Sequence, residues 1–185
     1  MKTTQLLAEI LKELENSCQL ISDDEAEKLV EAILESKKVF VAGAGRSGFM
    51  GKSFAMRMMH MGIDAYVIGE TVTPNFEKGD ILIIGSGSGE TKSLVTIAEK
   101  AKNISGKIAA ITIFPDSTIG QLADFTIKSP GAPKDKKEND DKTIQPMGSL
   151  FEQTLLLLYD AMILRIMEKR GLNSTTMYGK HANLE

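Results

Sequence analysis

The run Ile81-Leu82-Ile83-Ile84 passes directly into Gly85-Ser86-Gly87-Ser88-Gly89-Glu90-Thr91 and then into a helical pattern. A short apolar run closed by glycine reads as a strand buried on both faces, and such strands belong to parallel sheets covered by helices. The turn that follows also carries chemistry. Glycines let the backbone come close to a ligand, the free N–H groups and dipole of the next helix favour negative charge, and the hydroxyls add donors. Ser86, Gly87, Ser88, Gly89, Glu90 and Thr91 are therefore expected to cradle a phosphate. A Walker A loop is excluded, because Thr91 precedes Lys92-Ser93 where that motif needs glycine, so a monophosphate fits better than a triphosphate. The alternative is a glycine-rich turn that binds nothing.

The rest of the chain repeats the alternation. Leu6, Leu7, Ile10, Leu11 and Leu14 recur at helical spacing, and Ala26, Leu29, Val30, Ile33 and Leu34 do so after a Ser22-x-x-Glu25 capping box. Strands are expected at Val39 to Ala42, Ala65 to Ile68, Ile81 to Ile84, Ile108 to Ile113 and Phe125 to Ile127. Helices are expected at about Gly48 to Met61, Thr91 to Asn103, from Thr118, and from Ser149 to Lys169. With 185 residues the chain suits one domain: two helices over 1–36, a sheet core over 37–128, a charged connection over 129–147, and a helix and tail over 148–185. The stretch Lys134 to Lys142 mixes both charges after Pro130 and Pro133, and reads as a solvated loop or a lid over the site. The last helix, with Leu155 to Leu158 followed by Ala161, Met162, Ile163, Leu164, Ile166 and Met167, is apolar nearly all round. It should bury one side in the sheet and the other in a second subunit.

Composition removes several function classes. A net charge of −3 from 22 basic and 25 acidic residues, without a basic stripe, argues against nucleic acid as partner. The single cysteine, Cys18, forms no disulfide framework or thiolate cluster, suits a cytoplasmic protein, and is expected to be a buried or half-buried bystander. No window approaches a membrane span or a signal peptide. Without Trp, the core must be aliphatic with help from Met, and Met56, Met58, Met59 and Met61 read as packing.

A second turn, Gly43-Ala44-Gly45-Arg46-Ser47-Gly48, follows the first strand and satisfies G-x-G-x-x-G, with Glu70 near where a dinucleotide fold places its ribose-binding acid. A nicotinamide cofactor explains this turn alone. In a sheet of order 2-1-3-4-5 the first and third strands are neighbours and ligands bind between their carboxyl ends. That order sets Arg46 and Ser47 opposite Ser86, Ser88 and Thr91, so one phosphate site accounts for both turns.

Together these motifs resemble the sugar isomerase, or SIS, family, whose phosphate loop reads Ser-x-Ser-Gly-x-Thr, as Ser86 to Thr91 does. The likeness runs nearly end to end and includes Gln145-Pro-Met-Gly-Ser-Leu-Phe-Glu152 and the tail His181-Ala-Asn-Leu-Glu185. It implies a three-layer αβα sandwich with a five-stranded, flavodoxin-like parallel sheet. It also implies interconversion of D-arabino-3-hexulose 6-phosphate and fructose 6-phosphate in formaldehyde fixation by the ribulose monophosphate pathway. Such a carbonyl shift through an enediol needs no redox cofactor and no metal. The resemblance makes Glu152 the base, although Ser149-x-x-Glu152 is equally a capping box. It makes His181 and His60 candidate acids, acting within the chain or across an interface, against plain readings as surface residue and partly buried cap. Arg46 is a candidate for substrate or enediolate binding, against a surface salt bridge. A homo-oligomer, at least a dimer and by the family a tetramer, is expected; a non-catalytic sugar-phosphate sensor is the alternative function.

Overall fold

The structure, a computed structural model, describes residues 1–132 and 143–184. The charged run Lys134 to Lys142, and with it any lid, lies outside the described residues. Helices α1 (Thr3–Cys18) and α2 (Asp23–Glu35) lead into β1 (Val39–Gly43), α3 (Gly45–His60), β2 (Ala65–Val67) and β3 (Ile81–Gly85). There follow α4 (Lys92–Asn103), β4 (Lys107–Thr112), α5 (Thr118–Leu122), β5 (Phe125–Lys128), α6 (Ser149–Arg170) and α7 (Ser174–Tyr178). The five strands are all parallel in the order β2-β1-β3-β4-β5, the flavodoxin-like order that the family resemblance implies and that sets the two glycine turns side by side.

Alternate residues of each strand feed two separate cores, which is why the strands are apolar throughout. Val39, Val41, Ile81, Ile83 and Ile111 pack against α2, α3 and α6, whereas Phe40, Leu82, Ile84 and Ile108 pack against α4 and α5. Local signals set the helix ends. Ser22 accepts the Glu25 N–H ahead of an acidic first turn in α2, and Gly171, at φ 63°, closes α6 in the left-handed conformation. Helix α3 starts at Gly45, three residues ahead of Gly48, because Gly48 serves packing: its Cβ would lie 2.8 Å from the Gly43 carbonyl oxygen.

Several expectations about burial need correction. Cys18 is exposed, since Ser17 takes the inward position on that turn of α1. Met58 and Met61 are buried, but Met56 and Met59 face outward from α3. His60 is buried rather than partly buried. The inner face of α1 rests on α6, leaving Leu6, Leu7 and Leu11 exposed by 41%, 55% and 58%. Helix α6 buries Leu155, Tyr159, Met162 and Ile166 and leaves Leu157 and Leu164 outside, so its outward apolar side has no cover among the described residues. Among the described residues no helix is long and apolar enough to cross a membrane.

Candidate active site

The register pairs Gly43 with Gly85, so both glycine turns leave the sheet side by side. Helices α3 and α4 then depart on opposite faces, and a crevice opens between them. It holds a cavity of about 300 Å³, lined by Ala44 and Ser47 from the first turn, by Gly85, Ser86, Gly87, Ser88 and Thr91 from the second, and by Gly148, Phe151 and Glu152 of the α6 start. Gly85 keeps its floor tight: a Cβ there would lie 2.8 Å from Leu155 and 3.1 Å from the Tyr159 hydroxyl.

Helices α3, α4 and α6 all begin at this cavity, with Ala44, Thr91 and Gly148 at their first positions, and none has a side-chain cap. Of the helices that begin elsewhere, α2, α5 and α7 are capped by Ser22, Ser117 and Asn173, and α1 has no side-chain cap at Lys2. Uncapped helix starts present N–H donors and the positive end of the dipole, so three of them around one cavity select an anion. Within the loop the Ser86 and Ser88 hydroxyls accept the Gly89 and Glu90 N–H groups, each at 3.2 Å, which fixes the turn.

Gly89 and Glu90 do not line the cavity as expected. Gly89 sits at φ 64°, a Cβ on it would collide with Ser117, and its carbonyl accepts the Ile119 N–H. The Glu90 carboxylate accepts from the Thr118 N–H at 2.7 Å and hydroxyl at 2.8 Å, bonds that hold its carboxyl below the usual range. Both residues thus tie the Ser86 to Thr91 turn to α5.

Glu152 is buried, and its Oε2 accepts from Arg46 Nε at 2.9 Å. Arg46 also donates from Nη1 to Ser149 Oγ at 3.4 Å, while 58% of its side chain remains exposed at the mouth. The Ser149-x-x-Glu152 capping box does not form. Gly148 occupies the cap position, Ser149 is the first helical residue, and the Glu152 N–H donates to the Gly148 carbonyl at 2.9 Å. The carboxylate is therefore available to the cavity. Arg46 in turn pairs with a buried carboxylate rather than with a surface one.

The two histidines come together, but elsewhere. His60 ends α3, and His181 stacks on it with ring centroids 5.4 Å apart. Ser47 lies in the first turn of the same helix, and thirteen residues at 1.5 Å each put about 20 Å between it and His60. Neither histidine reaches the Glu152 of its own chain. They line a separate hollow with Arg57, Asp160 and Tyr178. Burial, with Arg57 and His181 adding to it, pulls His60 below its ordinary value of 6.5. As the pH falls, the unfolded chain takes up this proton before the folded one does. The associated stability is thus intact above about 6.5 and is lost below it. Melting temperature should drop more between about pH 7.5 and pH 5.5 in the native chain than in His60→Asn, and equal drops would refute this.

Glu70, the acid of the dinucleotide alternative, forms an exposed ion pair with Lys52 at 2.6 Å and is absent from the cavity wall. Among the described residues no group of His, Cys, Asp and Glu is placed to hold a metal ion. Sequence spacing missed the wall made by Ile113, Ala132 and Phe151. The one available signal was Gly131, where a Cβ would come within 2.8 Å of Phe151 and 2.9 Å of Ile113.

Residues 32–164 match the model of the SIS domain, and the chain belongs to that family. It is 61% identical over the whole of both chains to a Bacillus subtilis protein named 3-hexulose-6-phosphate isomerase. A Methanocaldococcus jannaschii protein of the same name is 42% identical over 85% of this chain and 83% of its own. A crystal structure from Methanococcus jannaschii, whose title infers the function of 3-hexulose-6-phosphate isomerase, superposes with a TM-score of 0.83 at 35% identity, covering 98% of this chain and 99% of that one.

Proposed function

We propose that the chain is a ketose-phosphate isomerase that interconverts D-arabino-3-hexulose 6-phosphate and D-fructose 6-phosphate. The observation that carries this reading is a buried carboxylate, Glu152, facing a cavity built for an anion by three uncapped helix starts. The name shared by the relatives at 61% and 42% identity supplies the sugar.

The phosphate is held by the Ser86 to Thr91 turn and the start of α4, with Ser47 opposite. Glu152 removes the C2 proton of the 3-ketose and leaves an enediolate across C2 and C3. A proton returns to C3 as the O2 hydroxyl loses its own, and the carbonyl then stands at C2. Arg46, close to Glu152 and open to the mouth, stabilises the oxygen charge. His60 and His181 can join this chemistry only from a second copy, because about 20 Å of helix separates them from the crevice of their own chain. The uncovered apolar residues Leu7, Leu11, Leu157 and Leu164 support such a homo-oligomer, a tetramer by the family's habit.

Conversion of D-arabino-3-hexulose 6-phosphate to fructose 6-phosphate by the purified chain, followed through a coupled dehydrogenase, is the direct test. Turnover supports the reading. Binding of the sugar without turnover would favour a sensor instead.

A further inference from the structure

Resting on the reading of Glu152 as base, we infer that Glu13, on α1, is a positioning residue that sets the start of α6 and with it the catalytic carboxylate.

Glu13 lies 130 to 132 residues from its partners, yet its carboxylate gathers three consecutive ones. Oε2 accepts from the Thr143 hydroxyl at 2.7 Å and from Gln145 Nε2 at 2.9 Å, and Oε1 accepts from the Ile144 N–H at 2.7 Å. The Thr143 hydroxyl accepts in turn from the Gln145 N–H at 3.0 Å. The Thr143 and Gln145 side chains are buried and Glu13 is half-buried, so the bonds to those two side chains are partly shielded from water, while the one to the Ile144 N–H is exposed. A carboxylate taking three donors from one short segment pins that segment as a unit.

The pinned segment runs straight into the site. The Pro146 carbonyl accepts the Ser149 N–H at 3.1 Å, Gly148 forms part of the cavity wall, and its carbonyl accepts the Glu152 N–H. Between the clasp and α6 stands Met147 at φ 55°, a left-handed conformation that a side chain adopts only where its surroundings impose it. The residue is exposed, so packing does not impose it. The two fixed ends do: Glu13 on one side and the first turn of α6 on the other. Without Glu13, Met147 can relax to negative φ, and the relaxation moves Gly148 and the turn that carries Glu152. A displacement of about 1 Å at a catalytic group costs on the order of a hundredfold in rate.

The test uses Glu13→Ala in the full chain, with Glu9→Ala as control, since Glu9 pairs only with the exposed Lys12 at 3.0 Å on the same helix. Expected for Glu13→Ala are a kcat lower by about tenfold or more and a KM for the sugar phosphate within about threefold, because the phosphate loop is untouched. Hydrogen exchange at the Ser149 and Glu152 amides, which donate to the Pro146 and Gly148 carbonyls, should quicken by about tenfold or more. Adding Met147→Gly, which removes the left-handed strain, should restore kcat to within about threefold, a rescue that a role in general stability would not give. Should Glu13→Ala fail to fold, Gln145→Ala removes one of the three bonds and should move kcat and exchange in the same direction by less. Unchanged exchange and kcat in the folded variant, or a loss that Met147→Gly leaves in place, would overturn the inference. Exchange does not depend on chemistry, so the two readings fail separately: a Glu152→Gln enzyme that still turns over removes the base, and a Glu13→Ala chain with a tight α6 start removes the clasp.

Discussion

Glu152→Gln should lower turnover by roughly 10²–10⁴-fold, the usual worth of a positioned general base. The amide keeps the size and planarity of the carboxylate but cannot take a proton from carbon. Binding of fructose 6-phosphate should change by no more than about threefold, since the anion is held by the Ser86 to Thr91 turn and the helix starts. Folding should survive. The lost partner, Arg46, is 58% exposed, and a pair open to water on one side contributes about 1 kcal/mol or less, some 2–4 °C in a chain of this length. Turnover close to that of the native chain would remove Glu152 from the mechanism.

Gly89→Ala is expected to disable both binding and stability. Gly89 sits at φ 64°, and a methyl group on it would collide with the Ser117 hydroxyl, which accepts the Gly120 N–H at the start of α5. Left-handed strain of about 1 kcal/mol adds to overpacking of about 1–3 kcal/mol, which together lower the melting temperature by roughly 4–16 °C. The collision also displaces Ser86 and Ser88, whose hydroxyls hold the Gly89 and Glu90 amides, so KM should rise by at least about tenfold. Gly171 has nearly the same φ, 63°, with nothing within 4 Å of the position of a Cβ. Gly171→Ala should therefore show the strain alone, with KM unchanged. Equal effects of the two substitutions would mean that backbone strain, not the contact with α5, is what the phosphate loop cannot bear.

The contrast between these two residues shows where the sequence was legible. Strands buried on both faces announce themselves as apolar runs, and the order 2-1-3-4-5, which the family resemblance implies, is the one in which a single site accounts for the glycine turns after the first and third of them. Both turns then fall at one crevice, and Ser47, Ser86, Gly87, Ser88 and Thr91 follow from that topology. What stayed hidden depends on partners distant along the chain. Ser149 and Glu152 fit a capping box on spacing alone, but Gly148 takes the cap and Arg46, more than a hundred residues earlier, takes the two side chains. Nothing near Glu13 in the sequence marks it out on its amphipathic helix, because its partners Thr143, Ile144 and Gln145 lie some 130 residues away. The histidines were within reach of arithmetic, since His60 ends the helix whose first turn holds Arg46. Their stacking on each other was not, because nothing in a polar tail specifies where it folds back.

The central claim is that Glu152 moves a proton between neighbouring carbons of a hexulose 6-phosphate. Conversion of D-arabino-3-hexulose 6-phosphate in D₂O, with the fructose 6-phosphate product read by NMR, tests it most directly. The account predicts conversion by the native chain, with solvent deuterium at C3 of the product to the extent that the proton on Glu152 exchanges with water before it is returned, and neither conversion nor label from Glu152→Gln over the same time. A product formed at the native rate by Glu152→Gln, or a sugar phosphate left unlabelled and unconverted by the native chain, would contradict it.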